Sequence, residues 1–116
     1  MLFIEYPKCT TCQKAKKWLD THNITYADRH IIEDNPSYDE LKKWYEESGL
    51  SLKRFFNTNG MLYKEMQLKD KLPAMSEDEQ LKLLATNGML VKRPLVVNGD
   101  MVLTGFKEAE WTEKLL

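Results

Sequence analysis

A short apolar run, Leu2-Phe3-Ile4-Glu5-Tyr6, stops at Pro7, and the chain then carries Cys9-Thr10-Thr11-Cys12 and changes to helical spacing. This change of period constrains the fold more than any other feature. A brief apolar and aromatic run closed by proline reads as a buried strand. From Gln13 to about His22, Ala15, Trp18 and Leu19 recur at helical intervals with Lys14, Lys16 and Lys17 between them, and Asn23 supplies a stop. Ile24 to Ile32 reads as a second strand that begins Ile24-Thr25-Tyr26-Ala27 and fades towards Asn35-Pro36. Strand, helix and strand in so short a stretch imply a βαβ unit with two parallel strands.

The middle is helical. Ser37-Tyr38-Asp39-Glu40 fits a capping box, Leu41, Trp44 and Tyr45 form an apolar stripe, and Gly49 ends it. Ser51 to Phe56 predicts a short helix before the turn Asn57-Thr58-Asn59-Gly60. A second capping box, Ser76-Glu77-Asp78-Glu79, opens a helix through Leu81, Leu83 and Leu84, closed by Asn87-Gly88. The period changes again at the apolar runs Pro94–Val97 and Met101–Leu103, joined by Asn98-Gly99-Asp100. Asn-Gly predicts a hairpin in which both residues take positive φ. Lys107 to Leu116 forms a last helix, with Ala109, Trp111 and Leu115 on its buried side. The order βαβ, helices, ββα describes an α/β fold with a mixed sheet and helices on its faces.

Lys and Arg total 17 against 18 Asp and Glu, a net charge of −1, so there is no bulk attraction to nucleic acid or to an anionic membrane. No apolar run approaches the roughly 18 residues needed to cross a bilayer. Met1 to Glu5 carries neither a basic leader nor a long apolar stretch, so a cytoplasmic protein is expected. In a reducing compartment a cysteine pair is more often catalytic or metal-binding than structural.

Placed between a strand and a helix, the pair has a chemical reading. Unpaired N–H groups and the positive end of the dipole at a helix N-terminus favour thiolate over thiol, and the thiolate is the nucleophile. Cys9 is therefore read as the nucleophile and Cys12, one turn on and more shielded, as the resolving thiol. Lys8, and beyond it Lys14 and Lys16, add positive potential. Two plain readings compete: a pair of structural cysteines, and a zinc site. Zinc needs two further ligands, only His22 and His30 exist, and His22 falls at the far end of the helix that Cys12 begins, so no metal is expected. Lys92-Arg93-Pro94 is the other candidate. Were its X–Pro bond cis, Arg93 could bind an oxyanion or lower the Cys9 pKa; the plain reading is a surface arginine before a trans proline.

Tyr6-Pro7-Lys8-Cys9-Thr10-Thr11-Cys12-Gln13-Lys14-Ala15, Phe55-Phe56-Asn57-Thr58-Asn59-Gly60, and Lys92-Arg93-Pro94-Leu95-Val96-Val97 followed by Gly105-Phe106 together resemble the arsenate reductase and Spx family, in that family's order and over essentially the whole chain. The resemblance implies a thioredoxin-like fold in one domain, residues 1–116, with a helical insertion over about 36–88 and a cis peptide at Pro94. It implies catalytic roles for Cys9, Cys12 and Arg93, and substrate contacts from Lys8, Thr10, Thr11, Asn57 and Pro94. No bound cofactor is implied; glutathione, glutaredoxin or thioredoxin would be external reductants, and a protein or glutathione disulfide the partner.

Departures separate three readings. Arsenate reductases of the family hold the oxyanion with further arginines; Asn57 stands at the first such position, with Arg54 one turn off, and Thr104-Gly105-Phe106 holds none at the second. Amides hold a doubly charged oxyanion less well than guanidinium groups do, which counts against arsenate as substrate. The second cysteine is similar to the Spx regulators, which bind RNA polymerase, but Leu52 to Gly60 is unlike them. The chain looks most like the arsenate-reductase-like members, read here as thiol–disulfide oxidoreductases.

Overall fold

The computed structural model describes residues 1–116. Strand β1 (Leu2–Glu5) lies inside a four-stranded sheet of order β2-β1-β3-β4, with β2 spanning Ala27–His30, β3 Leu95–Asn98 and β4 Met101–Thr104. β2 runs parallel to β1, as the βαβ reading requires, whereas β3 and β4 are antiparallel to their neighbours. Phe3 pairs with Val96, which pairs with Leu103, and alternation divides these strands between two faces. On one face Phe3, Val96 and Leu103 pack with Ala15, Trp18 and Leu19 of helix α1 (Thr10–Thr21) and Trp111 of helix α6 (Glu108–Leu115). Trp111 is fully buried, sits edge-on to Phe106 at 4.8 Å and to Trp18 at 5.8 Å, and donates from Nε1 to the Gly105 carbonyl at 3.2 Å.

The opposite face, with Ile4, Leu95 and Val102, is covered by the segment between β2 and β3. That segment holds α2 (Tyr38–Ser48), α3 (Met61–Glu65), α4 (Leu68–Lys71), α5 (Glu77–Leu84) and 3-10 turns at Leu52–Phe55, Leu72–Ala74 and Gly88–Leu90. Leu41, Trp44, Phe55, Leu84 and Leu90 supply its buried surface. Both expected capping boxes form: Ser37 with Glu40 and Ser76 with Glu79 exchange side-chain and backbone hydrogen bonds of 3.0–3.2 Å. Gly49 ends α2 in the left-handed region at φ 68°. Arg29 on β2 grips Glu40 with two bonds of 2.7 and 2.9 Å, tying the sheet to α2. No helix is long and apolar enough to cross a membrane.

Several boundaries differ from expectation. Helix α1 starts at Thr10 rather than Gln13, because Thr10 and Thr11 are exposed and its first turn carries no apolar periodicity. β2 is shorter than Ile24 to Ile32: the Ile24 N–H still bonds Leu19 at the end of α1, and the ladder begins only where Ala27 N–H meets the Met1 carbonyl. Beyond β2, the His30 Nδ1 accepts from the Ile32 and Glu33 N–H groups and turns the chain. In the hairpin Asn98 pairs with Met101, so the two turn residues are Gly99 and Asp100. Only Gly99 has positive φ, at 63°, the pattern of a II′ turn rather than one needing Asn98 in that region. Asn87 does not close α5; its side chain caps the next 3-10 turn by accepting from Met89 N–H at 2.9 Å. Gly88 is there for packing, since a Cβ would lie 1.9 Å from the Ile31 carbonyl oxygen.

Candidate functional site

Two junctions meet at one end of the sheet. The first is the β1–α1 turn. Cys9 occupies the N-cap of α1 with extended backbone, and its N–H bonds the Tyr6 carbonyl at 2.9 Å. Cys9 is partly exposed and Cys12 is fully buried; both are free thiols. The second junction precedes β3. An isolated bridge pairs Phe56 with Val91, Asn57 N–H bonds Leu90, and Lys92 N–H bonds Phe55 at 2.8 Å. These bonds carry residues 56–57 alongside 91–93, so that Asn57 and Arg93 arrive together. The Arg93–Pro94 peptide is cis, as the family resemblance implied.

Arg93 is held on three sides. Nη1 donates to the Met89 carbonyl at 3.2 Å, the guanidinium lies 5.3 Å over the Tyr6 ring, and the Asn57 amide, oriented to satisfy both groups, accepts from Nη1 and Nη2 at 3.3 Å. Tyr6 and Asn57 thus restrict the one cation that acts most on Cys9.

Burial pushes the Cys9 pKa upward. Although its sulfur makes no short capping hydrogen bond, the opposing influences prevail: the Cys12 N–H and S–H, the Thr11 N–H and the Arg93 charge together bring the pKa below the usual thiol value. Cys12 moves the other way. Burial, with the Cys9 charge beside it and Glu5 near it, pushes its thiol up to about 12. The two thiols are thus shifted in opposite directions, Cys9 towards the thiolate and Cys12 towards keeping its proton.

Cys9 opens into a cavity of about 620 Å³ lined also by Thr11, Asn57 and Arg93. Lys53, Arg54, Lys92 and Lys107 line it too, and no carboxylate does. Among the residues expected at the site, Cys9, Thr11, Asn57 and Arg93 come together here, whereas Lys8 and Thr10 are exposed outside the lining. Pro94 is buried beside it, its carbonyl already accepting from the Gly105 N–H at 2.8 Å. Lys16 does not add potential at Cys9, because it points along β2 to Asp28 at 2.7 Å. Sequence reasoning passed over Lys53, Lys107 and the stacking role of Tyr6, and named Lys92 only as part of the Lys92-Arg93-Pro94 motif, without a role of its own. Only Tyr6 carried a signal, as an aromatic directly ahead of the cysteine turn.

The ArsC family model matches residues 4–114. The uncharacterised protein YusI of Bacillus subtilis is 58% identical over 97% of this chain and 96% of its own. An ArsC family related protein from Bacteroides fragilis is 60% identical with a TM-score of 0.94, over 97% of this chain and 94% of that one. An arsenate reductase from Vibrio cholerae is 27% identical with a TM-score of 0.84, over 99% of this chain and 96% of that one. With the family's model spanning nearly its whole length and its fold shared, this chain belongs to the ArsC family.

Proposed function

We propose that the protein is a thiol–disulfide oxidoreductase in which Cys9 attacks and Cys12 resolves. The observation that carries this reading is the asymmetry of the pair: a partly exposed Cys9 with a depressed pKa opens into the cavity, and a fully buried Cys12 with a raised pKa lies one turn on. The Cys9 thiolate attacks one sulfur of a disulfide and expels the other as a thiolate, leaving a mixed disulfide on Cys9. Cys12 then attacks the Cys9 sulfur, forms the Cys9–Cys12 bond and releases the second thiolate. Two electrons pass from the cysteine pair to the partner disulfide, and an external thiol reductant restores the pair. Arg93 favours the attacking thiolate through its charge.

Alkylation of the reduced protein against pH, with each modified cysteine assigned by mass spectrometry, tests the first step. Cys9 should react first with an apparent pKa below the usual 8.5 or so. Cys9→Ser should abolish disulfide turnover and Cys12→Ser should trap the mixed disulfide; retained turnover in Cys9→Ser removes the assignment.

One observation favours a second reading, arsenate as the substrate Cys9 attacks. The cavity offers two arginines and three lysines to an anion, more positive charge than the missing family arginines led us to expect. Arsenate-dependent oxidation of NADPH through glutathione and glutaredoxin decides it, and a null result with active coupling proteins excludes arsenate.

A further inference from the structure

The cations of this chain are not spread evenly over it. Five of the 15 residues that line the Cys9 cavity are lysine or arginine, and none is acidic. Two smaller hollows adjoin that cavity. One, of about 420 Å³, shares Ser51 and Lys53 with it; the other, of about 280 Å³, shares Thr58. The two hollows meet each other at Tyr63 and Lys69. Together the three hold seven of the chain's 17 lysines and arginines but only two of its 18 acidic residues, Asp70 and Glu77.

No ion pair neutralises this face. The cations paired to carboxylates in the protein are Lys16, Arg29 and Lys82, and none of them lies here. Glu77 is engaged by the Tyr45 hydroxyl, which donates to it at 3.0 Å. Lys92 is half-buried and held in place. Its N–H bonds the Phe55 carbonyl at 2.8 Å, and its Cε lies 3.1 Å from where a Cβ on Gly105 would stand, so its stem occupies the room that Gly105 leaves. The balancing excess of acid is on the rest of the surface. A chain of net charge −1 therefore carries one positive face, and its partly exposed thiol opens into that face.

We propose that this face docks a protein whose disulfide is flanked by acidic residues and delivers that disulfide to Cys9. The inference rests on the oxidoreductase reading and adds the class of substrate to it. A low-mass thiol seated in the cavity of about 620 Å³ would leave Lys64 and Lys69 unused. Four residues of extended chain beside a cysteine reach about 13 Å and can use them. Met61 fits the same kind of partner. It opens α3, between Asn59 of the cavity and Lys64 of the hollow beyond, and it is 78% exposed. An exposed methionine among lysines suits a polypeptide that brings apolar as well as acidic side chains.

The exchange is the one already written, with the acidic protein as the source of the disulfide. The Cys9 thiolate bonds to one of its sulfurs, the other sulfur leaves as a thiolate, and Cys12 then frees the first by closing the Cys9–Cys12 bond. Two electrons pass to the docked protein. What the positive face contributes is encounter and orientation. Charges of this kind act chiefly on the association rate and are screened beyond about 30 Å at 0.01 M salt but beyond about 10 Å at 0.1 M. The signature of the docking face is therefore a preference for acidic partners that fades as salt is added.

Two peptide disulfides of one length test it, alike except that residues about three to six from the cysteine on each side are all Glu or all Gln. Each is offered to the reduced full-length protein, and formation of the Cys9–Cys12 bond is followed by quenched alkylation. Rates are divided by those of dithiothreitol with the same peptide at high salt, which removes differences in the disulfides themselves. At about 10 mM salt the Glu peptide should react roughly ten- to a hundredfold faster than the Gln peptide, and at about 300 mM the two should converge to within a few-fold. Lys64→Gln combined with Lys69→Gln should cut the low-salt ratio of Glu to Gln rates about fivefold. Lys42→Gln combined with Lys43→Gln removes the same charge from α2 and should leave that ratio within about twofold of wild type. Equal Glu and Gln rates at low salt, or equal losses in the two double variants, overturn the docking face and leave the oxidoreductase reading standing. A preference for 3,3′-dithiodipropionate over bis(2-hydroxyethyl) disulfide as wide as that between the peptides overturns the protein partner in favour of a low-mass acidic thiol. Failure of every disulfide to produce the Cys9–Cys12 bond overturns both readings.

Discussion

Replacing Glu5 by Gln should make the protein more stable above neutral pH while leaving it unchanged in acid. Glu5 is buried, and between its ordinary value of 4.5 and about 7 the native carboxyl holds a proton that the unfolded chain has already lost. A folded-state pKa raised in this way contributes stability that is complete below pH 4.5 and is lost as pH rises through 7. At about 1.4 kcal/mol per pH unit, that interval comes to about 3 kcal/mol. Gln has nearly the shape of the protonated acid and carries no charge to desolvate. Lys16 keeps its 2.7 Å bond to Asp28, so no cation is left without a partner. Urea unfolding followed by circular dichroism at pH 4, 6 and 8 measures the effect. Wild type and Glu5→Gln should have the same midpoint at pH 4, and the variant should gain on the order of 1–2 M by pH 8 for a chain with an m-value of about 2 kcal/mol/M. Parallel pH profiles would refute the burial argument, since they would mean that Glu5 titrates alike in both states.

Four other outcomes follow from the same geometry. Arg93→Gln removes the cation facing Cys9 and should raise its pKa, slowing iodoacetamide alkylation several-fold at pH 6.5; identical alkylation profiles would remove Arg93 from the site. Glu40, held down to about 2 first by its hydrogen bonds from Arg29, contributes stability that is present above pH 4.5 and lost as pH falls towards 2. Since it is partly exposed, Glu40→Gln should cost on the order of 1–2 kcal/mol at pH 7, and acid unfolding curves of the two proteins should converge near pH 2. Trp111→Ala should cost about 3–5 kcal/mol by urea unfolding, because the ring is fully buried against Trp18, Phe106 and Phe3. Gly88→Ala should cost about 1–3 kcal/mol, read as a lowered melting temperature, because its Cβ would overlap the Ile31 carbonyl.

Local features could be read from the chain alone wherever the physics is local. A capping box needs only residues three apart, and both Ser37–Glu40 and Ser76–Glu79 formed as read. Helical spacing identified Ala15, Trp18, Leu19, Leu41, Trp44, Leu81, Leu84 and Trp111 as core, and these are buried; Tyr45, Leu83 and Leu115 are only half-buried, and Ala109, expected on the buried side of α6, is exposed, because the face of that short helix towards the sheet is filled by Trp111. The hairpin was correctly located, but its turn type was not. Register is decided by pairing across the strands, which set Asn98 opposite Met101 and moved the turn to Gly99-Asp100. The cysteines one turn apart at a strand-to-helix junction were likewise a local pattern, and the motif positions were enough to identify the family and its fold.

What tertiary structure alone decided is which charges act on which thiol. Lys8 neighbours Cys9 in the chain but projects to solvent, whereas Arg93, far along it, is carried there by the pairing of residues 55–57 with 90–92 and restrained by Tyr6 and Asn57. Lys16 went to Asp28 instead, because adjacent parallel strands put Asp28 beneath α1. In sequence Glu5 was counted within the short run Leu2 to Tyr6 and given no role; only the sheet face it occupies and the helix above it make it a buried carboxyl. Helix caps and apolar stripes are set by neighbours along the chain, but an electrostatic environment depends on distance through space and on exclusion of water, and these exist only once the layers have closed.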